Sequence, residues 1–163
     1  MKKLVAALIT VALSSITASA ADLADRPYTK APAAYAPIYN WTGFYMLDPG
    51  DPETLVLGPF VGAPTPHVRI PVSQGICGAA VASGKTVIVD DVSADPRYLS
   101  CSIDTRSEIV VPVYANGKVI GEIDIDSHDP AAFTDADRLF LEETAQIVGA
   151  YIEGHSDELA RIA

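Results

Sequence analysis

Sulfur is scarce in this chain. Two cysteines, Cys77 and Cys101, and two methionines are all that its 163 residues contain. That excludes a disulfide-stapled mini-protein and falls short of the four ligands of a structural zinc site. The histidines, His67, His128 and His155, show no ligand spacing, so no resident metal and no cofactor is expected. Basic residues are also few: 11 Lys and Arg stand against 21 Asp and Glu, a formal net charge of −10. A surface of that sign repels phosphate backbones and anionic head groups, so nucleic acid is not an expected partner. What is abundant is apolar material, 49% of the residues, enough for one domain with a core and too much for a chain disordered throughout.

The first residues are read separately. Lys2 and Lys3, an apolar stretch over 4–16 and the small residues Ala18-Ser19-Ala20 have the three-part pattern of a secretory signal peptide over 1–20. The stretch is too short, and too broken by Thr10, Ser14 and Ser15, to be a transmembrane helix. Export to the periplasm is the expected localisation; a fusion or gene-model artefact upstream of Asn40 would return the chain to the cytoplasm. Residues 21–39 mix Pro, Ala and Tyr without period and read as an extended linker. This beginning, running into NWTGFY, resembles the start of small outer-membrane β-barrel proteins of alpha-proteobacteria. The rest lacks the repeated alternating strands of about ten residues that close a barrel.

From Asn40 the pattern is mixed. Residues 41–47 and 54–60 are aromatic and β-branched runs separated by the turn-rich DPGDPE, an antiparallel pair. Residues 74–83 are small and apolar and predict a helix ending at Gly84, a residue free to take the left-handed cap. A short strand over 86–89 precedes a long loop over 90–104, of the kind that often carries function. Residues 107–114 and 118–126 are the clearest strands, joined at Asn116-Gly117, a strong hairpin signal. In the second, Val119, Gly121, Ile123 and Ile125 share one face, which places Glu122, Asp124 and Asp126 on the other. Thr134 caps a final helix with Asp135 and Asp137 in its first turn and an apolar stripe of Leu141, Ala145, Val148 and Ile152. The domain expected from these elements covers 40–154, with 155–163 as a C-terminal tail.

The strings NWTGFY, LVLGPF, VRIP, GICGAAVASG, CSIDTRSEIVVPV and VIGEIDIDS occur in the order and approximate spacing of the GAF-domain free methionine-(R)-sulfoxide reductases, which this chain resembles over about residues 40–130. The resemblance implies an α+β fold: a GAF-like six-stranded antiparallel sheet flanked by helices, with a small buried pocket closed by loops. It implies that free methionine-R-sulfoxide is reduced to methionine by a cysteine thiolate. Cys101 matches the family's nucleophile, Cys77 the cysteine of its GVCG helix, Glu108 a carboxylate that binds the substrate's ammonium, Asp124 and Asp126 the two aspartates of its DIDS strand, and Trp41 and Tyr45 the aromatic wall. Thioredoxin or another dithiol as reductant, and a homodimer, are implied in the same way. The chain departs from the family at His67, where a third, resolving cysteine usually stands. Either Cys77 resolves Cys101 or an external thiol does. The family's amino-terminal helices are also replaced, by the signal and linker.

Chemistry accords with these roles. A sulfoxide needs a thiolate nucleophile and a proton donor, and attack leaves a sulfenic acid that a second thiol converts to a disulfide. A free amino acid carries an α-ammonium that a protein-bound methionine lacks, and fixed carboxylates select it. Other readings stay open on the residues alone. Cys77 among Gly and Ala suits a buried small hydrophobe, Trp41 and Tyr45 suit a core, and Asp124 and Asp126 suit a solvated face or a divalent-cation site. A GAF module that binds a small ligand and signals without turnover is the alternative function, since one fold hosts both.

Overall fold

The computed structural model describes residues 38–100 and 102–156. The expected signal peptide, all but the end of the expected linker, Cys101, and residues 157–163 of the expected tail lie outside the described residues. Strands β1 (Trp41–Asp48), β2 (Asp51–Val61), β3 (Arg69–Pro71), β4 (Val87–Val89), β5 (Ser107–Ala115) and β6 (Lys118–Ser127) form one sheet in the order β3-β2-β1-β6-β5-β4, and every neighbouring pair is antiparallel. Helices α1 (Gly75–Ser83) and α2 (Asp135–Gly154) complete the α+β architecture expected from the sequence.

Local chemistry sets the boundaries. Asn116 and Gly117 both have positive φ, 51° and 72°, the backbone of the tight turn whose twist matches two right-twisted strands. Helix α1 stops at Gly84, whose φ of 62° lets its N–H reach back to the carbonyls of Ala80 and Val81. Helix α2 starts with a reciprocal capping box: the Thr134 hydroxyl accepts from the Asp137 N–H, and the Asp137 carboxylate accepts from the Thr134 N–H. The β1–β2 turn is tighter than DPGDPE predicts. Strand β2 begins three residues earlier than expected because Asp51 pairs with Asp48 of β1, and on its other side the Val72 N–H donates to the Glu53 carbonyl at 2.9 Å. Strand β3 itself is too short for a sequence period to reveal.

The sheet separates two apolar clusters. Ile109, Val111, Val113, Ile123 and Ile125 face α2 through Phe133, Leu141 and Ala145. On the other face Trp41, Tyr45, Leu55, Ile70, Val89 and Val110 pack with Ile76, Cys77 and Ala80 of α1. Central strand β6 is therefore buried on both sides from Gly121 to Ser127, although only its odd-numbered residues there are apolar up to Ile125. The acidic residues fill the other face.

Helix α2 approaches β5 closely because Gly149 has no side chain; a Cβ there would overlap the Tyr114 carbonyl oxygen. Gly149→Ala is expected to push the helix off the sheet and lower unfolding free energy by about 1–3 kcal/mol, read as a shifted midpoint in urea denaturation at constant slope.

Candidate functional site

Strand register builds the site. On the face beneath α1, three rows run across the sheet: Val89, Glu108, Asp126 and Trp41; then Val110, Asp124 and Gly43; then Pro112, Glu122 and Tyr45. Antiparallel pairing thus gathers carboxylates from two strands into neighbouring positions and sets two aromatic rings at their edge. Gly43 keeps the middle row open for the Trp41 ring, which a Cβ at that position would strike. Trp41 stacks with Tyr45 at 6.2 Å between centroids and with Phe60 at 5.6 Å.

Helix α1 lays Cys77 over these rows. Its Sγ lies 3.7 Å from Oδ2 of Asp124 and 4.0 Å from Oε1 of Glu108, two acceptors for the one weak S–H donor. Burial is nearly complete: relative exposure is 0% for Glu122, 1% for Asp124, 3% for Asp126, 4% for Glu108 and 5% for Cys77. A solvated sheet face, left open by the alternation of β6, is therefore excluded. Among the described residues, both Glu122 carboxyl oxygens, Oδ1 of Asp124 and Oδ1 of Asp126 have no hydrogen-bond partner, and no ion pair reaches the cluster. Buried acids in such a setting hold protons. Desolvation pushes Glu122 up to about 8 and Asp126 up to about 7. It raises Asp124 and Glu108 well above the usual carboxylate range, reinforced by neighbouring carboxylates; the Arg97 guanidinium pulls Glu108 back slightly. Cys77 is raised by burial first and then by Asp124, Glu122 and Glu108, so it is held as a thiol. A positive group placed among these acids would favour their ionised forms.

The aromatic residues also organise the loops. The Trp41 indole N–H donates to the Ala63 carbonyl at 3.0 Å and the Tyr45 hydroxyl to the His67 carbonyl at 2.8 Å, fixing residues 62–68 above the wall. The imidazole Nε2 of His67 then donates to the Ser100 carbonyl at 2.9 Å, tying this loop to the residue that precedes Cys101. Of the residues singled out in the sequence, Trp41, Tyr45, Cys77, Glu108, Asp124 and Asp126 fall on one face of the sheet, and Cys101 lies outside the described residues. Glu122 was not among them. Its signal was present in the alternation with Asp124 and Asp126, but a strand buried on both faces is what turns that alternation into a site. The reach of His67 to Ser100 had no sequence signal, because it depends on two loops 33 residues apart.

Stability should carry the mark of these acids. The folded values of Asp126 and Glu122, about 7 and about 8, exceed their ordinary values of 3.8 and 4.5, so between those limits the unfolded chain binds fewer protons than the folded one. Their contribution is complete below about pH 4 and is lost as pH rises through about 7 to 8. The melting temperature of the ligand-free protein is expected to fall by about 5–15 °C between about pH 5 and pH 8, measured by differential scanning calorimetry; Asp126→Asn should flatten the slope.

Comparison with known proteins places the fold. The model of the GAF domain family matches residues 23–152. The free methionine-R-sulfoxide reductase of Saccharomyces cerevisiae is 42% identical over 110 residues, covering 67% of this chain and 61% of that protein. The X-ray structure of the free methionine-R-sulfoxide reductase from Neisseria meningitidis in complex with its substrate is 42% identical, with a TM-score of 0.70 over 74% of this chain and 71% of that one. The type II free methionine-R-sulfoxide reductase from Thermoplasma acidophilum, also 42% identical, superposes with a TM-score of 0.69 over 76% of this chain and 84% of that one. This chain spans about three fifths of the length of the curated reductases it matches. With a family match over most of its length and the six-stranded sheet to go with it, the chain belongs to the GAF domain family.

Proposed function

We propose that the chain reduces free L-methionine-(R)-S-oxide to L-methionine, with Cys101 as the nucleophile. The observation that carries this reading is the buried acidic basin walled by Trp41 and Tyr45, in a chain 42% identical to proteins of that activity. The substrate's α-ammonium would sit among Glu108, Asp124 and Asp126, where its charge replaces the protons those acids otherwise hold. Its thioether end would lie against the aromatic rings. The Cys101 thiolate attacks the sulfoxide sulfur, and protonation of the oxygen accompanies it. Methionine leaves, and the oxygen ends on Cys101 as a sulfenic acid. A thiol then displaces water to give a disulfide, and a second thiol returns Cys101 to the reduced state. The second substrate in this scheme is thioredoxin or another dithiol.

Which thiol resolves the sulfenic acid is a choice between Cys77 and the external dithiol. Cys77 has the advantage of residing in the same basin. Against it stand its place in a packed helix and its protonated state, both unfavourable to attack. Cys77→Ser separates the two: loss of thioredoxin-dependent turnover with one methionine released per chain assigns the step to Cys77, and unchanged turnover assigns it to the external thiol. Export to the periplasm and pairing of two copies are further proposals, tested by amino-terminal sequencing of the mature protein and by sedimentation.

The function is tested with purified chain, dithiothreitol and the resolved R and S sulfoxides of free methionine. Consumption of the R form alone, abolished in Cys101→Ser, is the expected result. Turnover that survives Cys101→Ser would remove the nucleophile assignment, and binding without turnover would leave a ligand-sensing GAF module. Glu108→Gln should raise KM by about ten- to a hundredfold, the worth of one charge-assisted hydrogen bond, with a smaller change in kcat; an unchanged KM would move the ammonium elsewhere.

A further inference from the structure

With Cys101 as the nucleophile, Cys77 is free of the first chemical step, and both carboxyl oxygens of Glu122 are buried without a hydrogen-bond partner among the described residues. We propose that Cys77, Glu108 and Asp124 form a binding site for a thiophilic divalent cation, Zn²⁺ being the ion whose chemistry fits. One ligand atom from each of these three residues lies within 4.8 Å of the other two. The sulfur-to-oxygen separations are 3.7 Å and 4.0 Å. A tetrahedral zinc centre with Zn–S of about 2.3 Å and Zn–O of about 2.0–2.2 Å has a sulfur-to-oxygen edge of about 3.5 Å, close to both sulfur-to-oxygen separations found here.

Two independent features point to a cation rather than to an incidental crowd of acids. The first is the unpartnered oxygens: among the described residues, Oδ1 of Asp124 and both carboxyl oxygens of Glu122 are buried without a donor, and such groups ordinarily have a partner. Glu122 follows Asp124 on the same face of β6, two residues away, with both carboxyl oxygens buried. The second is the donor set. A thiolate with carboxylates selects zinc or cobalt over magnesium and calcium, and three atoms at this spacing cannot provide the six to eight oxygens that calcium takes. Binding replaces the thiol proton with the metal, so it releases protons to solvent.

The ion and an amino-acid ammonium would need the same Glu108 and Asp124 oxygens. Zinc therefore excludes substrate and acts as a reversible inhibitor, a consequence that rests on the reading given under Proposed function; binding of the ion does not. In that scheme Cys77 serves as a metal sensor in the substrate basin while Cys101 does the chemistry.

The test separates the two. In a Cys101→Ser background, where Cys77 is the remaining cysteine, Co²⁺ is titrated into the full chain and followed by near-ultraviolet absorption. A thiolate-to-cobalt charge-transfer band saturating at one ion per chain is expected, displaced by Zn²⁺ and unaffected by Mg²⁺. The band should vanish in Asp124→Asn. Because that variant can fail to fold, alkylation of Cys77 by iodoacetamide is also measured in the Cys101→Ser chain, where Zn²⁺ at ten times its dissociation constant should slow the reaction about tenfold. No band, or alkylation indifferent to Zn²⁺, overturns the site. With the ion established, competitive inhibition of sulfoxide reduction in the wild-type chain supports the shared basin. Bound ion without competition would place the ammonium elsewhere and leave the metal site standing.

Discussion

The rest of the structure depends on desolvation of four carboxyl groups on one side of the sheet. Glu108, Glu122, Asp124 and Asp126 are all but inaccessible, and a buried ionised acid without a partner is far costlier than a neutral one. The fold accommodates them by keeping protons on them, and Cys77 in their midst stays protonated for the same reason. Such a centre destabilises the empty protein at neutral and higher pH. In the proposed function a cationic ligand, on arriving, converts the acids into partners. The strain of the ligand-free state and the selectivity of the site are two aspects of one electrostatic arrangement.

Position follows from topology. The two strands that carry the acids, β5 and β6, are neighbours joined by a two-residue turn at Asn116-Gly117, and a register shift between Val113 and Tyr114 then sets Glu108 opposite Asp126. Strand β1 then brings Trp41 opposite Asp126 and Tyr45 opposite Glu122. The hydroxyl and indole of these residues fasten the loop over 62–68, and His67 of that loop reaches Ser100. A chain of contacts thus runs from the aromatic wall to the edge of the segment bearing Cys101. Its members are hydrogen bonds of ordinary length, each between a side chain and a backbone carbonyl.

Much of this could be read from the amino-acid order. The turn at Asn116-Gly117, the left-handed Gly84 and the Thr134 cap rest on local backbone chemistry, which a sequence expresses directly. So does the division of β6 into an apolar and an acidic face. That both faces are buried is not local: a period of two tells which residues lie together, and only the packing of α1 on one side and α2 on the other tells that neither set meets water. Hence the acids of β6 read equally well as a solvated surface, and Glu122 carried no weight of its own. Strand β3, three residues long, and the contact of His67 with Ser100 depend on partners distant in sequence and left no periodic trace. The assignment of Cys101 rests on resemblance, since that residue lies outside the described structure.

The central claim is that the buried carboxylates bind the ammonium of a free amino acid. It is tested most directly by a crystal structure of the chain with bound L-methionine. The account predicts the α-ammonium nitrogen within hydrogen-bond distance of carboxylate oxygens of Glu108, Asp124 or Asp126, with the thioether against Trp41 and Tyr45. Methionine bound with its ammonium facing solvent, or bound away from this face of the sheet, would contradict it.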